Sequence, residues 1–230
     1  MTGASSGIGW ATSLRLLREG MRVAACARRE ARLAALREAA GADAERLVTH
    51  AFDVRDEGAI VAAFAAVRAT WGGVDVLVNN AGLGHAAPLC DAPTELWREM
   101  LEVNVLALSV CTRKALRDMR TRGDRGHVVH VSSMSAHRVP EGSGMYAASK
   151  FAVRALTEAL RLELRAARSR IRVTAVSPGY VETEFAGHYH QSEEAAQRTY
   201  GRFPVMQPDD VADLVVFALS RPPHVEVHDL

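Results

Sequence analysis

The chain has no apolar run of the roughly 20 residues a bilayer crossing needs, and no targeting segment is expected at its start. Cysteine is scarce: Cys26, Cys90 and Cys111 are odd in number and far apart. That spacing speaks against a disulfide framework and is read as reduced packing residues of a cytoplasmic protein. Charge of one sign is missing too, with 28 basic against 27 acidic residues and a formal net charge of +1. Such a balance supplies no electrostatic reason for a nucleic-acid or membrane partner. No Pro/Gly/Ser-rich linker and no internal repeat divides the sequence. What remains is 230 residues, 48% of them hydrophobic, enough for one domain with one core, spanning 1-230.

Apolar runs alternate with helical patterns. Val23 to Ala27, Leu47 to Asp53, Val74 to Asn80 and Val128 to Ser133 read as buried strands, and helical periodicities through Leu14, Leu16 and Leu17 and through Ile60, Phe64 and Val67 lie between them. Strand and helix in alternation imply an α/β fold, a doubly wound parallel sheet of Rossmann type covered on both faces.

Two motifs carry chemistry. The run Tyr146-Ala147-Ala148-Ser149-Lys150 opens a helix marked by Phe151, Val153, Leu156, Leu160 and Leu164, so the phenol and the ammonium stand one turn apart on one face. An ammonium there favours the phenolate and draws the tyrosine's pKa down toward working pH, as a general acid/base requires. The plain alternative is an ordinary surface pair at a helix start. Ser133, at the end of a strand, offers a hydroxyl to the same place; its neighbour Ser132 competes, but alternation sends the two to opposite faces. The second motif is Thr2-Gly3-Ala4-Ser5-Ser6-Gly7-Ile8-Gly9, just before a helix that ends at Gly20. Its glycines permit a tight turn and close approach of backbone to a pyrophosphate, with Ser5, Ser6 and Ile8 beside it.

These residues, with Asn79-Asn80-Ala81-Gly82, Asn104, Pro178-Gly179 and Thr183 in the same order, resemble a short-chain dehydrogenase/reductase over essentially the whole chain. The resemblance implies a catalytic set of Asn104, Ser133, Tyr146 and Lys150, with Asn104 supporting a water chain to the lysine. A satisfied structural amide is the other reading of Asn104. The resemblance also implies cofactor contacts from Gly3, Gly7, Gly9, Asn80, Ala81, Gly82, Tyr146, Lys150, Pro178, Gly179, Val181 and Thr183. Asp53, next to Val54, resembles the residue that meets adenine; a carboxylate capping the next helix is its alternative.

Where NAD enzymes of this architecture carry an acid after the second strand, this chain has Ala27-Arg28-Arg29. Planar donors without a carboxylate suit a 2′-phosphate, so NADP(H) is expected over NAD(H), with Arg28 the better placed; the alternative reading of Arg29 is the start of a solvated helix face. The substrate expected is a small carbonyl compound or alcohol, under a lid at about 184-206 with a short helix near Glu193 to Tyr200. Phe185, Tyr189, Tyr200, Phe203, Val205 and Met206 suggest a partly apolar pocket. The stretches Ser133 to Pro140, Leu160 to Arg165 and Val181 to Phe185 further resemble the branch called dehydrogenase/reductase member eleven. A homodimer or homotetramer is implied by the same resemblance.

Four features run against simple enzyme status or distract from it. Only Met1 precedes Thr2 where the family has a first strand, and Val225, Val227 and Leu230 begin a last strand without its usual tail, so a shortened sequence, even an inactive product, is one reading. A non-catalytic NADP-binding regulator is another. No metal is expected: His188, His190, His224 and His228 lack a ligand cluster. The basic segment Arg113 to Arg125 interleaves Asp118 and Asp124 and reads as a solvated helix end rather than a nucleic-acid patch.

Overall fold

The computed structural model describes residues 1–230. Five parallel strands, β1 (Val23–Ala27), β2 (Leu47–Ala51), β3 (Val76–Asn79), β4 (Arg125–Val131) and β5 (Arg170–Val176), lie in two ladders, β1 with β2 and β3-β4-β5. Adjacent strand residues enter different cores, as a period of two requires. Leu77 and Val128 join Ile60, Cys111, Met119 and Leu160 on one face. Val78 and Val129 join Val211 and Val215 on the other.

The helices are α1 (Gly7–Arg18), α2 (Glu30–Ala39), α3 (Glu57–Trp71), α4 (Thr94–Leu101), α5 (Leu108–Thr121), α6 (Gly144–Ala166), α7 (Phe185–His190), α8 (Glu193–Tyr200) and α9 (Pro208–Leu219). Their ends follow local chemistry. Asp56 accepts from the Ala59 amide to cap α3, which stops at Gly72 with φ 84°, a conformation glycine adopts without Cβ strain. α9 opens with Pro208 and a reciprocal cap between Gln207 and Asp210. The pattern from Thr94 to Met119 reads as one helix, but a π-turn, Glu102–Ala107, separates α4 from α5. Such a turn re-aims side chains, and Asn104 sits within it.

Between β1 and β3 the chain supplies only Met1 and Thr2. The Met1 amine donates to Ala24 O (2.9 Å), Cys26 N–H to Met1 O (2.9 Å) and Thr2 N–H to Val78 O (3.1 Å). An apolar cavity of about 350 Å³ lies alongside, lined by Ala24, Phe64, Val67, Trp71, Val76 and Cys111 among others. At the far edge the last residues run beside β5: Ala175 N–H donates to His228 O (2.8 Å) and Ser177 N–H to Leu230 O (2.7 Å).

The basic segment is partly paired within the fold, at Arg113 and Arg122. Arg68 and Arg122 both pair with Asp118, which is buried and also accepts from Val74 N–H (2.6 Å), while Arg113 pairs with Glu57. The structure brings together no group of three or more His, Cys, Asp or Glu side chains fit to hold a metal ion. No helix is long and apolar enough to cross a membrane.

Two histidines of β4 are buried with their tautomers set by neighbours. Thr157 donates to Val153 O, so His130 Nδ1–H donates to Thr157 (2.8 Å), leaving Nε2 to accept from Thr112 (3.2 Å). Asn79 completes the chain by donating to Thr112. Thr174 likewise spends its proton on Val227 O and accepts from His127 Nε2–H. Burial, then the charge of Lys150, pushes His130 down to about 4; burial, then Arg172, does the same to His127. Both folded-state values lie below the ordinary 6.5. The stability they contribute is therefore complete above pH about 6.5 and lost as pH falls toward about 4. Urea midpoints measured across that window should fall steadily; His130→Gln should flatten the fall, and an equally steep acid limb in the variant would contradict this account.

Candidate active site

The C-terminal ends of the strands open on a cleft of about 710 Å³, where open α/β sheets bind ligands. One end is the loop Gly3 to Ile8 with Arg28 and Arg29, the middle is Asn80 to Leu83, and the other end holds Ser133, Tyr146 and Lys150 beneath α7.

The loop has the cradle its glycines predict. Gly3 and Gly7 have φ of 67° and 51°. A Cβ on Gly9 would lie 2.1 Å from Gly3 O, and one on Gly3 would lie 2.8 Å from the Ala81 Cα. Asn80 ties the loop down: its Nδ2 donates to Thr2 O and Gly3 O (3.1 Å each), while Thr2 Oγ1 accepts from Asn80 N–H (3.1 Å) and Ala81 N–H (3.0 Å). Backbone amides are thus left to face the cleft at the start of α1, an arrangement fit for a phosphate-bearing cofactor.

Ser133, Tyr146 and Lys150 meet, though β4 ends at Val131, two residues before Ser133 and short of the expected strand end. Ser133 instead caps a short 3₁₀ turn, accepting from Ser135 N–H (3.0 Å), and lines the cleft with Tyr146, whose acidity it raises against burial. Ser132 Oγ is buried without a partner. Lys150, also buried, donates to Val131 O (3.1 Å), its Nζ 5.9 Å from the Tyr146 ring centre.

The titration of this pair departs from the expectation. Burial pushes the phenol up to about 12, opposed by the Ser133 hydrogen bond, and burial lowers the Lys150 ammonium to about 8. Desolvation of the phenolate outweighs an ammonium that is nearly 6 Å from the ring centre and itself poorly solvated.

Asn104 makes no hydrogen bond to Tyr146 or Lys150. It clamps Leu83 at both backbone atoms, donating to its O (2.8 Å) and accepting from its N–H (2.9 Å), and donates to Ser149 Oγ (3.0 Å). Asp53 does not cap α3, a position held by Asp56; both its oxygens are taken by Arg55 (2.7 to 3.1 Å). Val54 lines the cleft beside it.

Pro178, Gly179, Val181 and Thr183 form the wall opposite. Pro178 O accepts from Met134 N–H (2.9 Å), and the Thr183 methyl lies where a Cβ on Gly7 would meet it, 2.9 Å away. Within the expected lid, Phe185, Tyr189 and Tyr200 line the cleft but Phe203, Val205 and Met206 do not. Phe203 packs against Tyr180 (5.7 Å), and Met206 pairs its backbone with Val181 at the lid's base. Tyr200 serves chiefly as a staple, its hydroxyl donating to Thr183 O (3.1 Å) and accepting from Thr183 and Ala186 N–H.

Three cleft features had no signal in the sequence: the His85–Glu99 pair (2.9 Å), the support of Asn104 by Ser149, and an ion pair from Glu184 to Arg29 (2.8 Å). Each joins residues distant in the chain, and only the Thr183-Glu184 step, next to a motif residue, marks the neighbourhood.

A family model for short chain dehydrogenase matches residues 1–194. The chain is 46% identical over 237 residues to dehydrogenase/reductase SDR family member 11 of Bos taurus, covering 100% of this chain and 92% of that protein. It is 41% identical to a farnesol dehydrogenase of Aedes aegypti, with 100% and 92% covered. Among solved structures, the closed form of a serine dehydrogenase complexed with NADP⁺ superposes with TM-score 0.93 at 33% identity, covering 100% of this chain and 91% of that one.

Gly9→Ala forces the loop off Gly3 and Asn80. The variant is expected to lose about 1–3 kcal/mol of stability, the usual cost of overpacking a site hemmed in by backbone, and thermal unfolding checks it.

Proposed function

The chain belongs to the short-chain dehydrogenase family, and from that premise we propose that it is an NADP(H)-dependent oxidoreductase interconverting a carbonyl and a secondary alcohol, with Tyr146 as general acid and base. The observation that carries this reading is the half-buried Tyr146 phenol sharing the cleft wall with Ser133, with the Lys150 ammonium 5.9 Å from its ring centre.

The residues present fit a phosphorylated dinucleotide. The glycine cradle admits a pyrophosphate, and Arg28 lines the cleft with no ion-pair partner of its own, free to donate to a 2′-phosphate. The NADP⁺ complex of the serine dehydrogenase supports this choice. When bound, the nicotinamide supplies or accepts the hydride. Tyr146 gives its proton to the substrate oxygen in reduction and takes it back in oxidation, and Ser133 holds that oxygen by a hydrogen bond. Lys150, as ammonium, stabilises the phenolate that reduction leaves behind. Asn104 acts by position, fixing Leu83 and Ser149 so that the loop from Asn80 to Gly82 and the turn carrying Lys150 keep their spacing.

The substrate end is apolar and aromatic. Tyr146, Phe185 and Tyr189 stand 5.4 to 6.0 Å apart between ring centres, and His85, His188 and Arg138 add polar contacts at its wall. A broad carbonyl reductase or secondary-alcohol dehydrogenase fits this lining better than an enzyme for a strongly charged substrate. Leu101, Leu106, Phe151 and Leu162 are exposed on α4, the π-turn and α6, and support pairing in a homodimer or homotetramer. The unpaired thiols of Cys26, Cys90 and Cys111 fit a reducing cytoplasm.

Consumption of NADPH with a panel of ketones and aldehydes is the direct test. Tyr146→Phe is expected to lower kcat at least ~100-fold while the NADPH dissociation constant holds, because the phenol moves a proton and the ring remains. Full activity in that variant would remove Tyr146 from the reaction.

The pH dependence follows from the two displaced groups. Below about 12 the phenol keeps its proton and below about 8 Lys150 keeps its charge. Reduction should therefore hold through neutrality and decline above pH about 8, while oxidation, which needs phenolate, should climb with pH. Initial rates in both directions decide it, and a reduction rate rising through pH 8 would be incompatible with this assignment.

A further inference from the structure

The two arginines at the start of α2 have different surroundings. Arg28 has no hydrogen-bond or ion-pair partner, though it lies against the cleft. Arg29 is engaged along one edge of its guanidinium: Nη2 gives to Ser6 Oγ (2.8 Å), Ser5 Oγ (3.2 Å) and Glu184 Oε2 (2.8 Å), and Nε gives to Ser5 Oγ (3.3 Å). Arg32, its cation stacked 5.4 Å above Trp10, adds a contact to Glu184 Oε1 (3.7 Å) and one to Ser5 O (3.2 Å). Glu184 is the residue from which the lid helix α7 starts.

A single carboxylate from the lid thus rests on a guanidinium that also holds both serines of the cofactor loop. Burial alone would raise the Glu184 carboxyl, but hydrogen bonds from Arg29 and Ser6 and the charges of Arg29 and Arg32 hold it below its ordinary value. It is therefore an anion at neutral pH. The carboxylate 2.8 Å from Arg29 offsets its charge and repels a second anion, whereas Arg28 carries no such partner.

The lid is attached on its other side as well. Ala86 N–H donates to Tyr189 O (2.9 Å), and the Tyr189 hydroxyl donates to Gly142 O (3.3 Å). At the cofactor end the lid is held by the Glu184 contact, next to the approach of the Thr183 methyl to Gly7.

We propose that Arg29 and Glu184 are a positioning pair that latches the lid over the cofactor loop, and that the phosphate-reading role belongs to Arg28 alone. The proposal rests on the NADP(H) reading above. Its physical content is a division of labour: Arg28 sets which dinucleotide binds, and the latch sets how long any dinucleotide stays. Both partners of the latch are a little over two-fifths exposed, so its effect is modest and screened by salt.

Dissociation of NADPH and NADH from the full-length protein, followed by loss of cofactor fluorescence on displacement, separates the two roles. Arg29→Ala and Glu184→Gln are each expected to speed release of both dinucleotides by roughly two- to fivefold at low salt, and by less at 1 M salt. The double variant should be no faster than the faster single one, and the exchange Arg29→Glu with Glu184→Arg should recover slow release. Arg28→Ala should instead weaken NADPH while leaving NADH unchanged. If Arg29→Ala weakens NADPH alone, or if the two single effects add, the latch is overturned with the cofactor reading intact. If the unaltered protein binds neither dinucleotide, the cofactor reading itself fails and takes the latch with it.

Discussion

The junction of Thr2 with Asn80 governs the architecture of the site. Two side chains exchange hydrogen bonds with each other's backbone at the point where the two ladders of the sheet meet. Thr2 N–H reaches Val78 on one side, and Ala4 N–H reaches Cys26 on the other. Every element that shapes the cleft is referred to this point. It holds the glycine loop against Asn80 to Gly82, and the closeness of that contact is why Gly3 and Gly9 leave no room for a Cβ. Each bond is worth only about 1 kcal/mol, but a buried polar group left unpaired there would cost more than its bond returned. The slot beside it, lined mostly by apolar side chains, contributes nothing comparable to holding β1 against β3.

Burial does the electrostatic work at the reacting end. The same dry surroundings raise the Tyr146 phenol to about 12 and lower the Lys150 ammonium to about 8. Both shifts favour neutral forms, so the pair is poised as a proton donor beside a weakly held charge rather than as a standing phenolate. The neighbouring His130 follows the same rule, and its network through Thr112 and Thr157 is satisfied only while the ring is neutral. The site thus sits on a polar layer that tolerates no added charge.

Much of this was legible from residue order. Val23 to Ala27 and Glu193 to Tyr200 form the elements expected of them, because alternation and capping are local. Ser133 lines the same cleft as Tyr146, although the strand ends earlier and a 3₁₀ turn carries the hydroxyl. Asn104 was harder to read. Its position in a π-turn and its grip on Leu83 arise from packing of the α4–α5 helix on α6, and no helical pattern signals them. Phe203, Val205 and Met206 looked like pocket residues by type. They went to the lid's base because Val181 and Met206 pair their backbones there, turning that segment away from the cleft.

By itself the amino-acid sequence determined the kinds of group available: a phenol and an ammonium one turn apart, a glycine loop before a helix, and arginines where an acid would repel phosphate. Those are short-range facts, set by helical geometry and side-chain chemistry. Tertiary structure alone decided their electrical state and their partners. The phenol's acidity moved opposite to the expectation because desolvation depends on everything packed around the ring. Arg28 and Arg29, adjacent and alike in sequence, were separated by one carboxylate, Glu184, brought from 155 residues away. Long-range contacts select between equivalent local choices, and no pattern along the chain encodes which one they will take.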